Sequence, residues 1–210
     1  MKKILVASGK GKSSKASSSC SKGLAIGFFL TACHMSEVRE MELIKYPNPI
    51  LSQKCAEVEV GASGVSEILD EMSKKLYEWE GAGLAAPQVG ILKRIVVIDI
   101  REEPPHLYKL INPKITRKSE EMVESNEGCL SLPILREMVF RHASVTVEYL
   151  DENFKEKQIE ATGFLSCCLQ HELDHLDGVL YIDRLSKFKR SRAIKEFYKL
   201  QEEKPEDGGE

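Results

Sequence analysis

Two of the chain's five histidines, His171 and His175, stand four residues apart with Glu172 directly after the first, in the stretch Gln170-His171-Glu172-Leu173-Asp174-His175. On a helix, positions i and i+4 share a face, so both imidazoles can offer a nitrogen to one cation. Glu172 projects about 100° from His171 around the axis, near enough to take a proton from a water on that cation without ligating it. A bound divalent cation makes its water acidic, and a carboxylate that accepts the proton completes the machinery for attack on a carbonyl. A solvated helix face would hold the same residues with no metal at all. The pattern therefore leaves a hydrolytic metal site and a charged helix both open until a third ligand is found.

Metzincins require a histidine six residues after the second one; that position is Tyr181, although Gly178 is in place. Thermolysin-like enzymes take a glutamate from a following helix, for which Glu196 or Glu202 would have to serve, in a short remainder crowded with Lys and Arg. Upstream, the best soft donor is Cys129, in Glu127-Gly128-Cys129-Leu130-Ser131. Cys167 and Cys168 precede His171 by four and three residues, so a Cys-Cys-His-His structural zinc site is the rival arrangement. Free cysteine is more often a small buried hydrophobe than a ligand.

These residues need elements to carry them. Val65, Ile68, Leu69, Met72 and Leu76 recur at helical spacing, which predicts an amphipathic helix from 65 to about 79 that ends at Gly81. Short runs rich in β-branched residues follow at 94–100, 107–111, 139–141 and 145–150, too close together for helical crossovers and so read as antiparallel strands. Thr162 is an N-cap residue for the helix that bears the histidines, and Gly178 suits its C′ position. A last helix is expected over 184–200, where seven basic residues and one acid leave Leu185, Phe188, Ile194 and Phe197 as apolar anchors.

At 210 residues, 42% hydrophobic and 30% charged, the chain suits one core with tails. Its formal charge of −3 hides an asymmetry: residues 1–36 hold six lysines and no acid, while the rest carries 24 basic against 33 acidic side chains. An acidic body is not a general nucleic-acid or DNA binder. Six scattered cysteines without a Cys-x-x-Cys pair argue for a reducing compartment rather than a disulfide scaffold. The longest apolar run, 24–33, falls well short of the ~18 residues of a membrane span. Residues 1–35 read as a leader, a targeting segment or an upstream start before Met35 or Met41. Cytoplasmic residence is the main expectation, with an organellar or lipid-anchored form if the leader is genuine. A phosphate loop in Ser8-Gly9-Lys10-Gly11-Lys12-Ser13 fails because Val6 stands where the first glycine is needed. Residues 36–200 form the expected single catalytic domain, and 201–210 an acidic tail.

Three motifs together resemble the peptide deformylases: Gly81-Ala82-Gly83-Leu84-Ala85-Ala86-Pro87-Gln88, Glu127-Gly128-Cys129-Leu130-Ser131, and Gln170-His171-Glu172-Leu173-Asp174-His175. The likeness runs from about Leu43 to Leu185. It implies an α+β fold in which antiparallel β-sheets surround a central metal-binding helix, with one helix in the N-terminal half and one at the C-terminus. It implies Cys129, His171 and His175 as metal ligands, Glu172 as general base, and the Gln88 side chain with the Leu130 backbone N–H as donors to the developing oxyanion. Gly83 would let backbone approach the substrate, Arg136 would lie near its main chain, and Cys167 and Cys168 would line the methionine pocket, with Ala82 in place of the usual branched residue. Glu127 would pair with Arg141. Fe²⁺ is the expected metal, with Zn²⁺, Ni²⁺ or Co²⁺ as substitutes. The expected substrates are nascent formylmethionyl peptides, and the basic C-terminal helix is a candidate contact with the ribosome. Another metallopeptidase or amidase, or a non-catalytic metal-binding interaction module, remain the alternatives.

Overall fold

The computed structural model describes residues 41–203. The leader and the last seven residues of the acidic tail lie outside them. Helix α1 (Val65–Glu78) is followed by strands β1 (Gly83–Ala85), β2 (Ile95–Ile98) and β3 (Tyr108–Lys118), the pair β4 (Met122–Cys129) and β5 (Leu132–His142), then β6 (Ser144–Leu150), β7 (Glu156–Thr162), α2 (Gly163–Leu176) and α3 (Lys187–Glu203). Five strands form one antiparallel sheet in the order β1-β2-β3-β6-β7, and β4 and β5 form a separate two-stranded sheet.

Alternation along β2 explains its apolar sequence. Val96 and Ile98 face the cluster built around α2, with Leu169, Leu173 and Leu176, whereas Ile95 and Val97 face the cluster around α1, with Leu69, Met72 and Leu76. A strand covered on both sides reads as a continuous hydrophobic run. The β1–β2 side of the five-stranded sheet is thus sandwiched between α1 and α2. A third cluster joins Leu132, Leu135 and Val139 of β5 to Tyr181, Ala193 and Phe197, and so seats α3 behind the hairpin.

Several local expectations are corrected. Helix α1 stops at Glu78, and the left-handed residue after it is Glu80 (φ 55°), not Gly81. Thr162 occupies the N-cap position of α2, but its side chain makes no capping bond, because it is still the last residue of β7. Strand β3 runs well past Ile111, through irregular pairing with β6 around Pro113, whose missing N–H the bulge tolerates. Phe188 is no anchor, being 79% exposed; α3 packs through the buried Ala193 and Phe197, with the expected anchor Ile194 partly buried beside them. That helix also continues to Glu203, three residues into the expected tail. Gly178 does take the left-handed conformation (φ 73°), and a Cβ there would meet the Ser52 carbonyl oxygen at 2.6 Å. No helix among the described residues is long and apolar enough to cross a membrane.

Candidate active site

Helix α2 is buried on every side from Ser166 to Leu176, so each polar side chain on it needs a partner. Gln170 is held by β5: its Oε1 accepts from the His142 N–H at 3.0 Å and its Nε2 donates to the His142 carbonyl at 2.9 Å. Ser166 Oγ donates to the same carbonyl at 3.0 Å. Asp174 accepts from Arg141 at 2.6 Å and from Arg184. His171 Nδ1 lies 2.8 Å from Glu127 Oε2, and both Glu127 oxygens accept from the Arg141 guanidinium at 2.7 and 2.8 Å. Two buried atoms on the helix are left over, Glu172 Oε2 and His175 Nδ1.

Both leftovers belong to residues at or beside a cluster of metal-ligating side chains. Cys129, His171 and His175 each offer a ligand atom, and these atoms lie within 4.8 Å of one another, with the Cys129 Sγ 3.3 Å from His175 Nε2. Because Glu127 occupies the Nδ1 of His171, its Nε2 is the atom free to ligate, the tautomer control that carboxylates commonly exert on metal-bound imidazoles. One sulfur and two nitrogens, three protein donors and not four, is the donor set of a catalytic site rather than a closed structural one. An unpartnered buried carboxylate beside that set adds to the fit. Burial opposes a charged His171, but Cys129 and Glu127 outweigh it and raise its pKa well above that of a free imidazole. Burial and the nearby His171 in turn push His175 far down. Burial lifts Glu172 to about 7, and Glu127, although desolvated, is held at about 2 by Arg141 and His171.

The ligands open onto a cavity of about 600 Å³ whose wall includes Gly83, Gln88, Cys129, Leu130, Arg136, Cys167, Cys168, His171 and Glu172. The candidate ligands, base, oxyanion donors and substrate-contact residues therefore all line it, apart from His175, which is buried, as is Arg141, the partner expected for Glu127. Gln88 is locked at one end, where its Oε1 accepts from the Ala85 N–H at 2.9 Å, so its Nε2 is aimed at Cys129 Sγ (3.5 Å) and Ser131 Oγ (3.2 Å). Cys168 is enclosed, and burial keeps its thiol well above the ordinary range, as suits a wall. Arg136 is exposed at the rim and reaches the Asn126 carbonyl at 3.4 Å.

Gly83 has a sharper reason than closeness to substrate. A Cβ at this position would lie 2.7 Å from both Cγ and Cδ of Glu172. Since the carboxylate is buried among its other neighbours, Gly83→Ala should swing it off the ligand cluster. We expect kcat to fall by about 10²-fold, the cost of misplacing a reacting group by an ångström, with metal content by elemental analysis unchanged.

Sequence reasoning missed four contributors. Asp174 and Arg184 extend the Glu127–Arg141 pair into a chain of charges ending on His171. Ser131 accepts from Gln88. Tyr181, noted only as the residue that excludes metzincins, stacks on His171 with ring centroids 5.8 Å apart and donates its hydroxyl to the Leu135 carbonyl at 3.0 Å. The run of charges in the last motif was the available signal for Asp174; nothing local marked Tyr181.

Comparison with known proteins places the chain in a family. Residues 40–191 match the sequence pattern of the family described as polypeptide deformylase. The peptide deformylase of Rhizobium meliloti is 45% identical over 159 residues, covering 75% of this chain and 91% of that protein. That of Thermodesulfovibrio yellowstonii is 46% identical over 159 residues, covering 75% and 96%. Among solved structures, the peptide deformylase from Ehrlichia chaffeensis in complex with actinonin superposes with a TM-score of 0.72 at 38% identity, covering 79% of this chain and 98% of that one.

Proposed function

The chain belongs to the polypeptide deformylase family, metal-dependent hydrolases that remove the N-formyl group from nascent peptides, and from that membership we propose how its own residues divide the work. The observation that carries the proposal is the buried Glu172 carboxylate, whose Oε2 has no hydrogen-bond partner, on a cavity wall shared with Cys129 and His171 of the Cys129, His171 and His175 donor set. When bound, the cation supplies Lewis acidity, polarising the formyl carbonyl and making a water a better nucleophile.

Glu172 accepts the proton released as water adds to the formyl carbon, and returns it to the methionine nitrogen as the C–N bond breaks; formate and a free amino terminus leave. Gln88 Nε2 and the Leu130 N–H stabilise the carbonyl oxygen while it carries negative charge. A donor of this kind is worth about 10²- to 10³-fold in kcat. Cys167 and Cys168 shape the side of the pocket that takes the methionine side chain, and Arg136 with Gly128 guides the peptide backbone. Actinonin, the ligand of the solved relative, is proposed to occupy the same cavity. Formate release from formyl-Met-Ala-Ser tests the activity; release of an amino acid instead would identify another amidase, and metal binding without hydrolysis a non-catalytic module.

Fe²⁺ is the metal we propose, because one thiolate among the ligands donates more charge than a third imidazole, although the same donor set also accepts Zn²⁺, Ni²⁺ or Co²⁺. Protein purified without oxygen should contain iron and lose activity in air as the iron–thiolate pair oxidises. Cys129→Ser should weaken the metal by more than the about 10- to 100-fold typical of losing an outer hydrogen-bond partner, as read by competition with a chelating dye. The four described cysteines are free, which suits action in the cytoplasm, where formylated chains are made. Exposed Lys187, Lys189 and Lys195 on α3 are the proposed contact with the ribosome. Co-sedimentation should then weaken with salt and fail in a Lys189→Glu/Lys195→Glu variant.

A further inference from the structure

The two-stranded sheet β4–β5 carries an apolar surface that begins at the cavity and leads away from it. Its register pairs Gly128 with Arg136, Asn126 with Met138, Glu124 with Phe140 and Met122 with His142. Side chains alternate along a strand, so these eight residues share one face, while Ser125, Glu127, Val139 and Arg141 point the other way and are buried. Asn126, Gly128 and Arg136 line the cavity. Directly beyond them on the same face, Met138 is 42%, Phe140 61% and Met122 44% exposed.

Exposed apolar side chains grouped on a strand face invite association unless they have an occupant. We propose that this face is a secondary docking track for the polypeptide substrate itself, holding an extended, apolar segment downstream of the formylmethionine. This rests on the deformylase reading. Continuity selects the occupant: a chain whose first residue sits in the cavity and whose backbone passes Asn126 and Arg136 emerges onto Met138 and Phe140. The spacing agrees, since both an extended peptide and a strand advance about 3.3 Å per residue. Substrate residues about two to four positions beyond the one beside Arg136 therefore lie over Met138 and Phe140. Two methionines suit varied sequences, because their unbranched side chains repack around different neighbours. A second copy of the chain is the poorer occupant, as three apolar side chains fall far short of the about 800 Å² per partner of a stable interface.

The test uses the metal-loaded enzyme and formate release from three substrates: formyl-Met-Ala-Ser, and two peptides of about nine residues that extend it with either Leu, Phe and Val or Ser, Asn and Gly. The apolar long peptide should show a KM about fivefold below both others, with kcat unchanged, a factor equivalent to about 1 kcal/mol. Met138→Ser/Phe140→Ser should abolish that advantage and leave the tripeptide kinetics as they were. Phe140→Thr, which keeps a good strand former, should remove about half of it. Equal KM values for the two long peptides in the wild type, or a preference that survives both variants, overturns the proposal. So does sedimentation as a dimer that Phe140→Ser dissociates. No formate from the tripeptide would instead sink the deformylase reading, so the two failures are distinct.

Discussion

Glu172→Gln is expected to lower kcat/KM for formyl-Met-Ala-Ser by about 10²- to 10⁴-fold, the usual contribution of a general acid–base group, while the purified protein keeps its metal and its melting temperature. Only the base is lost, because the substitution is nearly isosteric and Glu172 Oε2 has no protein partner to surrender. Glutamine also relieves the desolvation that lifts this carboxyl to about 7. Stability should therefore hold or rise, whereas removal of a structural carboxylate would lower it. If activity and metal fell together with the melting temperature, Glu172 would be part of the framework and its role as base would be wrong.

Arg141→Leu should produce the largest loss of stability. Arg141 is buried and bonded to Glu127 and Asp174 at 2.6–2.8 Å. Removing one member of a buried ion pair typically costs about 3–5 kcal/mol, because the other charge is left without compensation. Here Asp174 keeps Arg184 and Glu127 keeps His171, so the lower end of that range is expected, read as a shift in the urea midpoint without a change in slope. Metal affinity should drop as well, since Glu127 would no longer be held against His171. The contrast is Arg184→Leu: its side chain is 47% exposed and Asp174 retains Arg141, so the cost should stay below about 1 kcal/mol. Equal losses from the two substitutions would mean that the chain of charges does not pass through Arg141.

How far the sequence speaks depends on which force shapes each element. Helix α1 and strand β2 were legible because burial alone arranges them. The three motifs named the candidate ligands and the carboxylate beside them, because metal ligation and proton transfer tolerate few residue types, but fewer than half of the residues that line the cavity. Strand β4 was not legible: Met-Val-Glu-Ser-Asn-Glu-Gly-Cys turns Ser125 and Glu127 inward and leaves Met122 outside, which inverts the usual alternation. Its inward carboxylate is stable only because Arg141 and His171 meet it from elsewhere in the fold. Strand β7 was missed for a plainer reason, since only Ile159 and Ala161 of its seven residues are buried. Gly83 looked like a place for substrate to approach; that its missing side chain makes room for Glu172 depends on two segments far apart in the chain.

Cys129 ends one strand of the hairpin, and 46 residues later His175 ends the ligand face of α2. A cation held by both would therefore be a removable cross-link that closes a long loop, restraining the unfolded chain much as a disulfide does. Chelation should loosen the protein unevenly. Amide exchange should quicken first in β4 and β5, which pair only with each other, and last in β2, which both helices cover.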